Sequence, residues 1–134
     1  VTPHIFGSFW IFKAGVHHPP VYGEDYVKVI NETKINLNIH HPKDILADAP
    51  NMRTFEVAGS GGFLLTESMT SVKALLPSIE TYKNIEDLNE KIEYYLKDEK
   101  ARSEKAEALA YECKNKNTYL IRVEQILQKI LKNK

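Results

Sequence analysis

The chain alternates between short apolar runs bounded by turn residues and longer stretches with helical periodicity. His4, Ile5 and Phe6, ending at Gly7, read as a short buried strand, with Ser8 to Phe12 either extending it or forming an aromatic-rich loop. Lys13 to Pro20 reads as a loop, because the paired prolines exclude helix and ladder alike. Tyr22 to Glu32 has helical spacing, with Tyr26, Val27 and Ile30 on its inner face. Ile35, Leu37 and Ile39 then alternate with Asn36, Asn38 and His40, the period of a strand. A fully buried parallel strand carries few asparagines, so this one has a wet face, or lies near an edge or a ligand. His41 and Pro42 end it, and residues 43–50 read as a loop.

The centre of the chain is the segment from Asn51 to Glu67. Asn51 opens a short helix, the glycines of Ala58-Gly59-Ser60-Gly61-Gly62 close it, and Phe63 to Thr66 is a buried strand. The glycine run does not fit a dinucleotide or P-loop fingerprint, which follows a strand and opens a helix. It is a helix stop with a tight turn, or backbone left open to a ligand.

Beyond it, Thr70 to Leu76 forms a short helix stopped by Pro77, and Ile79 to Tyr82 a brief strand. Asn84 caps a helix with Ile85, Leu88, Ile92 and Leu96 on one side. A second helix, Lys100 to Lys114, buries Ala106, Leu109, Ala110 and Cys113. A third, capped by Asn117, runs from Thr118 to about Leu131 with an apolar stripe of Leu120, Val123, Ile126, Leu127, Ile130 and Leu131. Strands alternating with helices predict an α/β class: a three-layer, Rossmann-like domain with a mainly parallel sheet and C-terminal helices. The tyrosines Tyr82, Tyr94, Tyr95, Tyr111 and Tyr119 belong to core and rim rather than to a stacking platform.

Composition bounds the picture. A length of 134 residues fits one domain spanning 1–134, and 18 basic against 18 acidic side chains give no support for nucleic-acid binding. No apolar run reaches the roughly 20 residues of a membrane helix. The one cysteine, Cys113, has no partner for an internal disulfide, which suits a reducing, cytoplasmic compartment. The histidine pairs His17-His18 and His40-His41 each offer one ligand to a shared centre. With no carboxylate or cysteine at supporting spacing, no metal is expected.

Candidate chemistry concentrates in the central helix. Arg53 and Glu56 sit three residues apart and share a helical face, either as a surface ion pair or as a site. A cation at a helix N-terminus gathers anions, because the first backbone N–H groups point outward unpaired. A carboxylate one turn further in accepts hydrogen bonds from a diol. Phosphate plus sugar hydroxyls outline a nucleotide.

The run Asn51-x-Arg53-x-Phe55-Glu56-x-Ala58-x-x-Gly61-Gly62-Phe63-Leu64-Leu65-Thr66 resembles the spore-maturation glycosyltransferase-like family, part of the group-1 glycosyltransferases of the two-Rossmann-domain (GT-B) type. Ile35 to Ile39 upstream agree in order, as do Tyr82-x-x-Ile85-Glu86-Asp87-Leu88 onward and Asn117-Thr118-Tyr119-x-x-Arg122. The match spans roughly Val21 to Leu127. The resemblance implies a C-terminal, donor-binding domain whose substrate is a nucleoside diphosphate sugar, with no other cofactor. In that family a Glu-x7-Glu motif places its second glutamate on the ribose hydroxyls, a position that Glu56 fits. Eight residues earlier stands Asp48, a carboxylate but not a glutamate. The amides of Met52 and Arg53 and the Arg53 guanidinium are the implied diphosphate ligands, and Asn51, which opens the helix, belongs to the same donor-binding set. The turn from Thr66 and Glu67 to Met69 faces the sugar or phosphate, and the loops Gly7 to Trp10 and His40 to Pro42 read the base.

Such a domain normally begins with a strand and helix ahead of His4 and follows an N-terminal acceptor domain. The chain is therefore expected to be part of a larger protein and not to turn over alone. The rival reading is a non-catalytic binding or assembly module of the same fold, using the apolar stripe of the last helix.

Overall fold

The computed structural model describes residues 1–7 and 15–132. Its elements run β1 (His4–Phe6), β2 (Val16–His18), α1 (Gly23–Glu32), β3 (Asn36–Asn38), α2 (Pro42–Leu46) and α3 (Met52–Ser60). They continue with β4 (Leu64–Glu67), α4 (Thr70–Leu75), β5 (Glu80–Tyr82), α5 (Ile85–Lys97), α6 (Glu99–Lys116) and α7 (Tyr119–Lys132). All strand pairings are parallel, as expected for a Rossmann-like α/β fold. Among the described residues they fall into two sheets: β1 beside β2, and β3-β4-β5 with β4 in the middle.

The central sheet is covered on both faces. On one side Leu64 and Ile79 pack with Ile30 of α1, Val57 and Ala58 of α3, Val72 of α4, and Leu109 and Cys113 of α6. On the other side Phe63 and Leu65 meet Leu88 and Tyr95 of α5 and Ala106 of α6. Burial of these side chains, each worth roughly 1.5–3 kcal/mol for a large aliphatic or aromatic group, holds the layers together. Cys113 is a packing residue: burial raises its thiol pKa, and Sγ lies 3.5 Å from the Phe55 carbonyl oxygen.

Several expectations are corrected. The 13–20 loop contains β2, whose His18 ring stacks on His4 and Phe6. The proline pair does follow it, directly beyond the last ladder residue. The 43–50 loop contains α2, because Pro42 takes the first helical turn, where its missing N–H costs nothing, and His41 caps Lys43. Strand β3 turns the opposite way from its hydrophobic pattern. Asn38 and His40 are buried, whereas Leu37 is 41% and Ile39 68% exposed. Val27 and Ile85, expected inside, also face solvent. Asn117 ends α6 instead of opening α7, and its amide donates to the Leu75 carbonyl, leaving Thr118 Oγ1 to accept from the Ile121 amide. The stripe predicted on α7 is present, yet no residue of that helix is buried. Expectations for Ser8 to Trp10 and on to Phe12 lie outside the described residues.

The glycines after α3 serve the turn. Gly61 adopts φ +89° as the left-handed cap, a conformation that favours glycine. A Cβ on Gly62 would stand 2.5 Å from Ile30 Cγ2 and 2.8 Å from Asn36 Nδ2. The run is thus a stop and a close approach between layers, with Gly62 buried.

Candidate functional site

The carboxyl ends of β3 and β4 carry a buried polar cluster against the mouth of α3. Asn38 and Asn51 exchange amide hydrogen bonds, Asn38 Nδ2 to Asn51 Oδ1 at 3.0 Å and Asn51 Nδ2 to Asn38 Oδ1 at 3.2 Å. Asn51 Oδ1 also accepts from the Thr54 amide at 3.2 Å, capping α3. The Asn38 amide further donates to Thr54 Oγ1. His40 then locks the strand ends together. Its Nδ1 lies 3.0 Å from Glu67 Oε2, and its backbone N–H donates to the same carboxylate. Because a carboxylate only accepts, Nδ1 carries the proton. Nε2 is left facing Thr54 Oγ1 at 3.5 Å. Thr66 Oγ1 donates to the Asn38 carbonyl at 3.2 Å. Among the described residues no buried side-chain polar atom lacks a partner.

This cluster accounts for the inverted face of β3. The polar side of the strand meets the N-terminus of a helix, where asparagine and histidine find partners that leucine could not supply. The amides of Met52 and Arg53, in the first turn, have no intrahelical acceptor and point outward. Ligands of open parallel α/β sheets bind at such strand ends.

Arg53 and Glu56 lie on the flank of α3 beside α1, both exposed. They do not pair with each other; both meet Tyr26 of α1. The Tyr26 hydroxyl donates to Glu56 Oε2 at 3.1 Å, and the Arg53 guanidinium stands 5.8 Å from the Tyr26 ring centroid. Burial raises the Tyr26 phenol pKa, Arg53 opposes this, and the Glu56 charge and hydrogen bond add to it. Among the described residues Glu56 Oε1 and the guanidinium have no hydrogen-bonding partner.

The remaining candidates have separate places. Asp48, at φ +48°, accepts from the Ser71 amide and hydroxyl at 3.0–3.1 Å, tying the loop before α3 to the first turn of α4. Met52 is 64% exposed at the mouth of α3, whereas Met69 is 5% exposed and belongs to the core. Thr66 is fully buried and Glu67 half-buried beneath the cluster. Beside Glu67, the Tyr82 phenol pKa is pushed up, by burial first and then by that carboxylate. His41 caps α2 rather than joining His40. No group of three His, Cys, Asp or Glu residues among those described is arranged to hold a metal. Sequence reasoning placed Tyr26 in the core and missed its link to both site residues; that link comes from α1 packing on α3. Thr54 was also missed, although its position three residues after Asn51 is where a cap is read.

A parallel α/β sheet with a capped helix mouth at its carboxyl edge defines a Rossmann-like domain of the kind that receives anionic ligands. A family model described as glycosyl transferase-like matches residues 2–128, and the chain belongs to that family. The group-1 glycosyltransferase-like class implied by the central motif is thereby supported. No curated protein and no solved structure matches the chain.

Proposed function

We propose that the chain is the donor-binding domain of a glycosyltransferase that moves a sugar from a nucleoside diphosphate to an acceptor. The observation that carries this reading is the α3 mouth. Its first amides open outward beside the Arg53 guanidinium, and among the described residues neither that guanidinium nor Glu56 Oε1 on the same flank has a hydrogen-bonding partner. In this reading the Met52 and Arg53 amides and the Arg53 side chain hold the diphosphate. As the glycosidic bond breaks, charge builds on the departing phosphates, and donors already in place stabilise it without reorganising. Glu56 Oε1 accepts from the ribose hydroxyls.

The buried residues Asn38, His40, Thr54, Thr66 and Glu67 then act from beneath the ligand. They fix the helix mouth instead of touching the nucleotide, and Asp48 holds the approach to α3. Acceptor binding falls to a second domain.

The test is calorimetric titration of uridine, guanosine and thymidine diphosphates into the wild-type protein and Glu56→Ala. One nucleotide is expected to bind, and the variant to lose ~1–3 kcal/mol, the range for a charge-assisted hydrogen bond. Flat titrations with all three would leave the assembly-module reading, which the uncovered stripe of α7 favours.

A further inference from the structure

We propose that Tyr26 is a positioning residue that sets the preference for ribose over deoxyribose, an inference that rests on the donor-binding reading above. A glutamate at an exposed helical position is free to rotate, and a freely rotating carboxylate recognises a diol poorly because ordering it opposes binding. Here the rotation is stopped from another element. The Tyr26 hydroxyl donates to Glu56 Oε2 at 3.1 Å, which leaves Oε1, without a hydrogen-bonding partner among the described residues, to accept from a sugar hydroxyl. The same ring lies 5.8 Å beneath the Arg53 guanidinium, so a single side chain from α1 aligns the pentose-binding group and the phosphate-binding group.

Tyr26 is suited to this task by its surroundings. It is half-buried against the core formed by Ile30, Val57 and their neighbours, so ring packing fixes it. Its position in the first turns of α1 brings it alongside the opening of α3. Charged groups facing the hydroxyl are Glu56 and Arg53, both on α3. The neutral phenol is therefore the donor across the physiological range, and Glu56 the acceptor.

Two substitutions separate the parts of this arrangement. Tyr26→Phe keeps the ring under Arg53 and removes the hydroxyl; Tyr26→Leu removes both. The full chain is titrated with uridine diphosphate and 2′-deoxyuridine diphosphate, with guanosine diphosphate and 2′-deoxyguanosine diphosphate, and with inorganic pyrophosphate. Tyr26→Phe is expected to lower the ribo-to-deoxyribo preference about tenfold, the equivalent of one hydrogen bond. Tyr26→Leu is expected to weaken pyrophosphate as well. A Tyr26→Phe protein that folds and keeps the wild-type preference overturns the proposal.

A ligand-free measurement keeps the two readings apart. The labelled Tyr26 Cζ resonance should titrate at lower pH in Glu56→Gln than in wild type, because the neutral amide no longer opposes phenolate formation. An unchanged titration means that the hydroxyl does not hold Glu56 and overturns the inference whether or not any nucleotide binds. Failure of every probe to bind wild-type protein, with the titration shifted as expected, sinks the donor-binding reading instead.

Discussion

At Asn38 and His40 polarity and burial part company, and the reason is local chemistry. Alternation in Ile35 to His40 establishes a strand but not which side faces inward, since period two has two phases. The phase was settled by the partner: a helix N-terminus needs acceptors and ordered dipoles, and Asn38, Asn51, Thr54 and His40 complete one another's bonding. Glu80 shows the same point on the opposite face of the sheet. Burial alone would raise its carboxyl pKa, yet bonds from Lys91 and Lys105 at 3.1 Å and from Tyr95 at 3.0 Å hold it below the ordinary value. A depressed folded-state pKa contributes stability that is present above the unfolded pKa and lost as pH falls through the folded one. Glu80→Gln should therefore cost on the order of 1 kcal/mol at neutral pH, a figure discounted because both lysines are partly exposed. In urea denaturation, the gap from wild type should close in acid. A gap that persisted unchanged at low pH would show that charge is not what Glu80 contributes.

Among the elements, α3 was the most legible, because its signals are local and agree with one another. Asn51 caps, Gly61 stops, and Thr54, Val57 and Ala58 make the inward face. Element β2 was hidden by the prolines beside it, and α2 by a proline that starts a helix here instead of breaking one. Arg53 and Glu56 were legible as a pair on one face, whereas the tyrosine joining them belongs to a different helix and has no spacing signature. The Asn51 contacts yield a graded prediction. Asn51→Ala removes the cap and both amide bonds to Asn38, and should cost about 1–2 kcal/mol in equilibrium unfolding. Asn51→Asp keeps the oxygen that accepts from Thr54 and Asn38 and loses only the donor, so it should cost less. Equal losses for the two would mean that the cap itself contributes little.

For the whole molecule, the fold class was readable from the order of strands and helices, but the division of labour among them was not. Both buried clusters are drawn from α1, the central sheet and α3 to α6; neither β1, β2 nor α7 contributes a side chain. The seven large apolar residues of α7 from Tyr119 to Leu131 that stand 51–79% exposed satisfy every helical pattern test while burying nothing. Amphipathic spacing reports that a face is apolar, not what covers it. Stability should accordingly be uneven along the chain. Amides of β4, sandwiched between two strands and two layers, should exchange with solvent only through global unfolding. Those of α7 and of the β1–β2 pair should exchange through local opening at much lower free energy. Ending the chain after Asn117 should then cost little, about 1 kcal/mol or less, as expected for removing groups that bury no core surface. Hydrogen exchange resolved by residue checks the first point, and urea denaturation of the shortened chain the second. Protection of α7 equal to that of β4 would mean that the stripe is covered in solution by a second copy of the chain, which the dependence of exchange on protein concentration would reveal directly.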